Sequence, residues 1–241
     1  MDALKDILRG AEKIVFLTGA GISQESGIAT FRGKDGLWHN YDPMKLASPE
    51  AFIGDPKLVW SWYNYRRRKI LAANPNPGHI AIANLQNHQQ VSVVTQNIDE
   101  LHQRAGSREV TELHGNIFTT KCTKCDFKGR IEYEFFDIPP ICELCGSYLR
   151  PDVVWFGEGI KQEVWNEALM HSKTCDIMII VGTSLAVSPA NSLFLIAKNN
   201  NATLIEVNPI NTTFSDEMNF SIRKTAAGAL PNLLSRFESA S

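Results

Sequence analysis

Four cysteines near the middle of the chain have the residue type and spacing of a metal site. Cys122 and Cys125 form one CxxC pair, and Cys142 and Cys145 form a second pair after a gap of sixteen residues. Two facing CxxC turns place four thiolates around a zinc ion at about 2.3 Å, and four protein ligands make such a zinc structural. The alternative is two disulfides, which need an oxidising compartment. We predict zinc, because residues 1–10 are charged and amphipathic and contain no apolar signal core.

Small and polar residues follow four apolar runs, 13–18, 91–95, 177–181 and 203–207, which are typical of buried strands. The residues that follow are, in order, Gly19-Ala20-Gly21-Ile22-Ser23, Gln96-Asn97-Ile98-Asp99, Gly182-Thr183-Ser184 and Asn208. Because ligands bind outside the carboxyl ends of strands in open parallel sheets, this pattern predicts a dinucleotide site. The glycine turn alone is weak evidence, since Gln24 replaces the last glycine of G-x-G-x-x-G and packing alone explains such a turn equally well.

Helical segments alternate with these strands. They are predicted over residues 49–73, 78–87, 161–172, 189–199 and 229–238. The alternation indicates an α/β fold, with a Rossmann-like parallel sheet covered on both faces and a smaller zinc-binding domain formed by inserts. We assign residues 1–30, 74–116 and 150–241 to the Rossmann-like part, 31–73 to a helical insert and 117–149 to the zinc-binding module.

The composition and charge of the chain limit its partners and its location. The chain has 241 residues and a formal net charge of −2, so no strong overall field attracts nucleic acid or an anionic membrane. Residues 115–150 carry five Lys or Arg against five Asp or Glu, so the cysteine segment has no excess of positive charge for binding nucleic acid. No apolar run approaches the roughly eighteen residues of a membrane span. Cys175 adjoins an apolar run and is expected to be a small core residue. We expect a soluble, reduced, cytoplasmic protein.

The ordered motifs resemble those of sirtuins, the NAD-dependent protein-lysine deacylases, over about residues 5–238. The resemblance is carried by the following segments: Gly19-Ala20-Gly21-Ile22-Ser23, Phe31-Arg32-Gly33, Thr95-Gln96-Asn97-Ile98-Asp99, Leu113-His114-Gly115, the four cysteines, Val154-Trp155-Phe156-Gly157-Glu158, Gly182-Thr183-Ser184 and Asn208. It implies removal of acyl groups from protein lysines, with nicotinamide, 2′-O-acyl-ADP-ribose and free lysine as products. It also implies that the chain is a minimal member of the family, of bacterial or archaeal type.

The resemblance also implies a role for individual residues. His114, whose position alone does not separate a catalytic role from a structural one, is similar to the general base, and Asn97 and Asp99 would hold the nicotinamide carboxamide. The remaining NAD contacts are expected from Gly19, Ala20, Gly21, Ser23, Phe31, Arg32, Gln96, Ile98, Gly182, Thr183, Ser184, Asn208 and Ala226. Phe31 would shield the intermediate from water. The substrate peptide would add as a strand beside residues 153–156, contacting Val154 and Phe156.

Tyr63 and Arg66 suggest which acyl group is removed. Their i, i+3 spacing puts both side chains on one face of a predicted helix. A guanidinium and a phenol can together bind a carboxylate. The pair is similar to the Tyr-x-x-Arg of sirtuins that prefer succinyl- and malonyl-lysine, which implies weaker activity on acetyl-lysine. The alternative is a solvated basic face made by Arg66, Arg67, Arg68 and Lys69.

Three other functions remain open at this point. One is transfer of ADP-ribose to protein by the same NAD site, and another is plain deacetylation without a preference for acidic acyl groups. The third is a zinc-ribbon protein without enzymatic activity that binds nucleic acid or a protein partner, although the balanced charge of residues 115–150 argues against nucleic acid.

Overall fold

The computed structural model describes residues 2–30, 42–131 and 137–235, and the strands within them form two sheets. In chain order the strands are β1 Lys13–Thr18, β2 Gln90–Thr95, β3 Val110–Glu112, β4 Gly115–Cys122, β5 Lys128–Arg130, β6 Leu149–Val153, β7 Ile177–Val181, β8 Thr203–Val207 and β9 Phe220–Ile222. The larger sheet has the order β3-β2-β1-β7-β8-β9, and all its pairs are parallel. The smaller sheet is antiparallel, with the order β5-β4-β6.

The four predicted strands are confirmed, and three of them have the predicted bounds. The strand predicted at 91–95 begins one residue earlier, at Gln90. Sequence analysis missed β3 and β9, which lie at the two edges of the large sheet. Each is three residues long and mostly half-buried or exposed, so neither produces an apolar run that a pattern can detect.

The helices described are α1 Asp2–Gly10, α2 Pro49–Gly54, α3 Pro56–Ala72, α4 Pro77–Leu85, α5 Leu101–Arg104, α6 Gln162–Thr174, α7 Ser192–Asn199 and α8 Ala226–Leu234, with short 3-10 turns at Ala20–Ser26, Pro43–Lys45 and Ser215–Glu217. α1, α4 and α8 pack on one face of the large sheet. α6 and α7 pack on the other face. Consecutive β1 residues alternate between the two cores, with Phe16 in one and Val15 and Leu17 in the other, which confirms a sheet covered on both faces.

The helix predicted over 49–73 is in fact two helices. The Asp55 side chain accepts a hydrogen bond from the Leu58 N–H at 2.9 Å and caps α3, while Pro56 occupies its first position. Proline lacks the N–H that would continue α2, so the break is explained by residues visible in the sequence. The helix predicted from residue 229 begins at Ala226, and its predicted end lies outside the described residues. None of the helices described is long and apolar enough to cross a membrane.

The two inserts share one hydrophobic core. Trp60, Tyr63 and Ile70 of α3 pack with Ile117 and Leu149 of the small sheet. The Trp60 indole N–H also donates to the Leu149 carbonyl at 2.9 Å. The small sheet reaches beyond the predicted module of 117–149, because β4 begins at Gly115 and β6 ends at Val153. The three-part division itself stays a prediction.

Gly115 is the first residue of β4, directly after His114, and pairs with Val153 of β6 in the small sheet. It has a φ of +75°, and a Cβ built there would lie 2.2 Å from the Asp152 carbonyl oxygen. We predict that Gly115→Ala lowers the free energy of unfolding by about 3 kcal/mol or more, since strain and a backbone clash add. Gly157→Ala is the matched control, because Gly157 has a φ of +88° but nothing within 4 Å of a built Cβ. It should lose about 1 kcal/mol. Urea unfolding of both variants checks this, and equal losses would contradict the clash.

Candidate active site and metal centre

A cavity of about 810 Å³ lies at the carboxyl ends of β1, β2, β7 and β8, between the large sheet and the small module. It collects most residues that the sequence singled out. Those that line it are Gly19, Ala20, Gly21, Tyr63, Arg66, Gln96, Asn97, Ile98, His114, Val154, Phe156, Gly182, Thr183, Ser184, Asn208 and Ala226. A volume of this size is ordinary for a cofactor or small-molecule site.

Some predicted residues lie elsewhere. Ser23 and Asp99 are buried behind the lining, and Phe31 and Arg32 lie outside the described residues. Conversely, sequence reasoning missed several lining residues, among them Gln24, Thr30, Ala47, Trp62 and residues 210–213. Residues 210–213 could have been found from sequence, because they follow Asn208 at the end of β8 and ligands bind outside the carboxyl ends of parallel strands. Trp62 gives no such signal, since it is one aromatic residue in an aromatic-rich helix.

The glycine turn serves packing as well as the cavity. The Gly19 N–H donates to the Val181 carbonyl at 3.0 Å, and the Gly21 N–H donates to the Gly182 carbonyl at 2.8 Å. A Cβ at Gly21 would lie 2.7 Å from Gly182 Cα. These two amides therefore bond to the neighbouring β7 strand end and its turn. The segment that follows is a 3-10 turn.

A chain of hydrogen bonds holds the Asn97 side chain in place. Its Nδ2 donates to the Gly19 carbonyl and to Ser23 Oγ, both at 3.2 Å, and Ser23 Oγ donates to Asp99 Oδ2 at 2.7 Å. Burial raises the pKa of Asp99, while the Leu101 N–H, the Ser23 hydroxyl and the Arg66 charge oppose that rise. These contacts fix the amide orientation of Asn97, which leaves its Oδ1 as the acceptor available to a ligand.

His114 has a defined tautomer. Its Nδ1 lies 3.0 Å from the Gln96 carbonyl oxygen, which can only accept, so Nδ1 carries the hydrogen. Nε2 then keeps its lone pair and can accept a proton. Burial lowers the pKa of His114, and the hydrogen bond to Gln96 opposes that shift. The ring is therefore neutral at pH 7, which is the form that a general base needs.

Tyr63 and Arg66 line the cavity together and are 2% and 6% exposed. The Trp155 indole N–H donates to the Tyr63 hydroxyl at 2.9 Å. Burial raises the pKa of Tyr63 to about 12, so the phenol keeps its proton. Burial lowers the pKa of Arg66, with Tyr63 and Asp99 opposing, and its guanidinium lies 5.0 Å from the Trp62 ring centroid. The helix face that carries this pair is thus buried in the cavity wall, which argues against a solvated basic face.

The ends of β2, β7 and β8 are joined by side chains. Gln96 Nε2 donates to Thr183 Oγ1 at 3.0 Å, and Asn208 Nδ2 donates to the Thr183 carbonyl at 3.0 Å. Thr183 and Asn208 are both buried. These amide and hydroxyl groups are suited to ribose hydroxyls.

A buried histidine pair beneath the strand ends was not expected from sequence. The His79 and His102 ring centroids are 4.9 Å apart, and His102 Nε2 lies 3.0 Å from Thr18 Oγ1. Because Thr18 donates to Thr95 Oγ1 at 2.8 Å, His102 donates to Thr18. Burial lowers the pKa of His79 to about 4 and that of His102 well below its usual value. Both rings are therefore neutral, and His102 supports β1 through Thr18.

The four cysteines fit a tetrahedral metal. Their sulfurs all lie within 4.8 Å of one another, with Cys122 to Cys145 at 3.4 Å and Cys125 to Cys142 at 3.7 Å. A tetrahedron with Zn–S bonds of about 2.3 Å has edges of about 3.8 Å. None of the four forms a disulfide. The donor set and spacing are therefore those of structural zinc, as the sequence predicted.

We predict that Cys142→Ser lowers zinc content from about one ion per chain toward zero and destabilises the protein, because structural zinc contributes directly to folding. Metal analysis and thermal unfolding measure both effects. Cys175→Ala is the control, since Cys175 is buried outside the cluster and should leave zinc content unchanged. A Cys142→Ser variant with normal zinc and normal Tm would show that the cluster does not hold the metal.

Comparison with known proteins gives a family match over most of the chain. The model of the Sir2 family matches residues 19–189. An NAD-dependent protein deacylase of Aeropyrum pernix is 50% identical over 221 residues, which cover 91% of this chain and 90% of that protein. NAD-dependent protein deacylase 1 of Caldanaerobacter subterraneus subsp. tengcongensis is 52% identical over 214 residues, covering 88% of each.

Solved structures have the same fold. A Sir2 homologue in complex with NAD has a TM-score of 0.95 and 42% identity, covering 100% of this chain and 94% of that one. A Sir2 in complex with a p53 peptide and NAD⁺ has a TM-score of 0.88 and 33% identity, covering 98% of both chains.

Proposed function

The chain belongs to the Sir2 family, and on that basis we propose that it is an NAD-dependent protein-lysine deacylase with a structural zinc. One observation carries the proposal: a single cavity joins the polar ends of four parallel strands to His114, Tyr63 and Arg66. The first group suits a dinucleotide and the second suits an acyl-lysine. A cavity lined by both allows two substrates to meet.

The residues present fit NAD. Thr183, Ser184 and Asn208 would lie near the adenosine half of NAD, and Ala226 would lie near the adenine. Gln96 would touch the ribose, and Asn97 would accept a hydrogen bond from the nicotinamide carboxamide through Oδ1. Asp99 would act from behind, by holding Ser23 against Asn97. When bound, NAD supplies an electrophilic ribose carbon that accepts the acyl oxygen as nicotinamide leaves. Phe31 and Arg32, which the family resemblance also assigns to this site, lie outside the described residues.

His114 is the proposed general base. Its Nε2 lone pair would accept a proton relayed from a ribose hydroxyl, since Nδ1–H is bound to Gln96. The hydrogen bond from the Val154 N–H to the His114 carbonyl, at 2.9 Å, sets this residue beside the end of β6. β6 is an edge strand of the small sheet, where an acyl-lysine peptide would add as a further strand beside Val154 and Phe156.

We predict that His114→Ala lowers kcat/KM for deacylation by about a thousandfold with the fold intact. His88→Ala is the control, because His88 is exposed and lies outside this cavity. In the wild type, kcat/KM should rise with pH as the imidazole loses its proton. Because burial lowers the pKa of His114 from 6.5, this rise should be centred below pH 6.5. Near-normal turnover by His114→Ala, or a rise centred above pH 7, would remove the base role.

The acyl pocket carries the finer proposal that succinyl- and malonyl-lysine are preferred over acetyl-lysine. Because Tyr63 accepts from Trp155 through its oxygen, its own O–H hydrogen remains to be donated, and no acceptor for it is found among the described residues. Arg66 supplies a positively charged guanidinium with several N–H donors beside the Tyr63 hydroxyl. A carboxylate at the end of an acyl chain would accept from both groups.

We predict that Arg66→Met lowers kcat/KM for a succinyl-lysine peptide by about a hundredfold, because a buried charge-assisted contact is lost. Activity on the acetyl peptide should change far less. Arg68→Met is the matched control, since it removes the same charge from the exposed face of α3. If Arg66→Met and Arg68→Met have equal effects on succinyl and acetyl peptides, the enzyme is a plain deacetylase.

The reduced cysteine site also supports our proposal of a cytoplasmic location.

A further inference from the structure

Glu206 is a carboxylate in the middle of an apolar strand. It lies in β8, between β7 and β9, and is 0% exposed. Its neighbours Ile205 and Val207 belong to the hydrophobic core. A buried charge is costly unless it is paired and hydrogen-bonded, so its partners should explain why it is there.

Two of those partners, Thr212 and Ser215, come from the segment that follows β8, and two others, Ser221 and Arg223, come from β9 and the residue after it. Glu206 Oε1 accepts from Thr212 Oγ1 at 2.9 Å, and Oε2 accepts from Ser215 Oγ at 2.8 Å. Oε2 also accepts from Arg223 Nη1, which is itself near the Asn208 carbonyl oxygen at 3.5 Å. Within the chain described, one buried carboxylate therefore ties together both ends of the segment 208–215.

This segment forms one wall of the cavity. Asn208 and Pro209–Thr213 line it, yet Ile210 is 71% exposed and Asn211 is also exposed, so apolar burial does little to hold this part in place. Ser215 does not line the cavity and reaches it only through its bonds to Glu206 and Thr212. The Glu206 contacts thus help to place the wall, together with the hydrogen bond from Asn208 Nδ2 to the Thr183 carbonyl and the packing of Phe214 against Phe194.

We propose that Glu206 is a positioning residue that holds the segment 208–213 in the shape that binds the adenosine half of NAD. The inference rests on the proposed function, because it takes the cavity to be an NAD site. Glu206 touches no substrate itself. It acts by fixing Thr212 and, through Arg223, the backbone at Asn208. Its loss should weaken binding of the ADP-ribose portion and leave chemistry at the nicotinamide end unaffected.

Glu206→Gln tests this, since it keeps the side-chain size and removes the charge. We expect the Kd for ADP-ribose, measured by calorimetry, and the KM for NAD to rise about tenfold, with kcat and the KM for peptide changing less than about twofold. Glu217→Gln is the matched control, because it breaks an exposed ion pair with Lys198 next to the same segment without touching Glu206. It should bind ADP-ribose like the wild type.

Ser215→Ala provides a second variant in case Glu206→Gln does not fold. It removes one hydroxyl from Glu206 and should raise the ADP-ribose Kd about threefold. A purely structural role would instead lower Tm at unchanged Kd, and folded variants with wild-type Kd would overturn this inference alone. A wild-type protein that does not bind ADP-ribose would overturn the proposed function and this inference together.

Discussion

Parallel pairing of neighbouring strands is the constraint on which the site depends. In register, Thr18 of β1 pairs with Thr95 of β2 and with Val181 of β7, and Val181 pairs with Val207 of β8. The four strands therefore end at the same level, and the polar residues that follow them meet at one edge. Gly19, Gly21 and Gly182 allow the β1 and β7 turns to touch through backbone, with built Cβ atoms at 3.0 Å or less from neighbouring atoms. Side chains at these positions would separate the turns and open the cavity floor.

The second half of the site comes from the small module, and His114-Gly115 is where the two halves meet. β3 ends at Glu112 in the large sheet, and β4 begins at Gly115 in the small one. His114 consequently lies between Gln96, at the end of β2 in the large sheet, and Val154, after the end of β6 in the small sheet. The zinc-type cysteine cluster lies in the same module as β4 and contributes Cys122 and Cys142 to the core that also holds Tyr63 and Trp155. The cysteine cluster and the cavity wall at Tyr63 are therefore coupled by packing, although no cysteine lines the cavity.

Much of this could be predicted from sequence, and the remainder could not for physical reasons. Continuous apolar strands and CxxC pairs are local signals, so the sheet, the strand ends and the metal ligands were found. Contacts between distant residues leave no local signal. Trp155 and Tyr63 are 92 residues apart in sequence, and their hydrogen bond exists only because the inserts share a core. Glu206 likewise looks like an interruption of a strand until its partners are known, and Ser23 and Asp99 differ from the lining residues only in depth.

The central claim is that NAD and an acyl-lysine peptide react together in one cavity. The most direct test gives the wild-type protein NAD together with a succinyl- or acetyl-lysine peptide. Mass spectrometry then measures the stoichiometry of the products. The account predicts one nicotinamide and one acyl-ADP-ribose for each lysine freed, and no nicotinamide release without peptide. Nicotinamide released without peptide, or a peptide that gains ADP-ribose and keeps its acyl group, would contradict it.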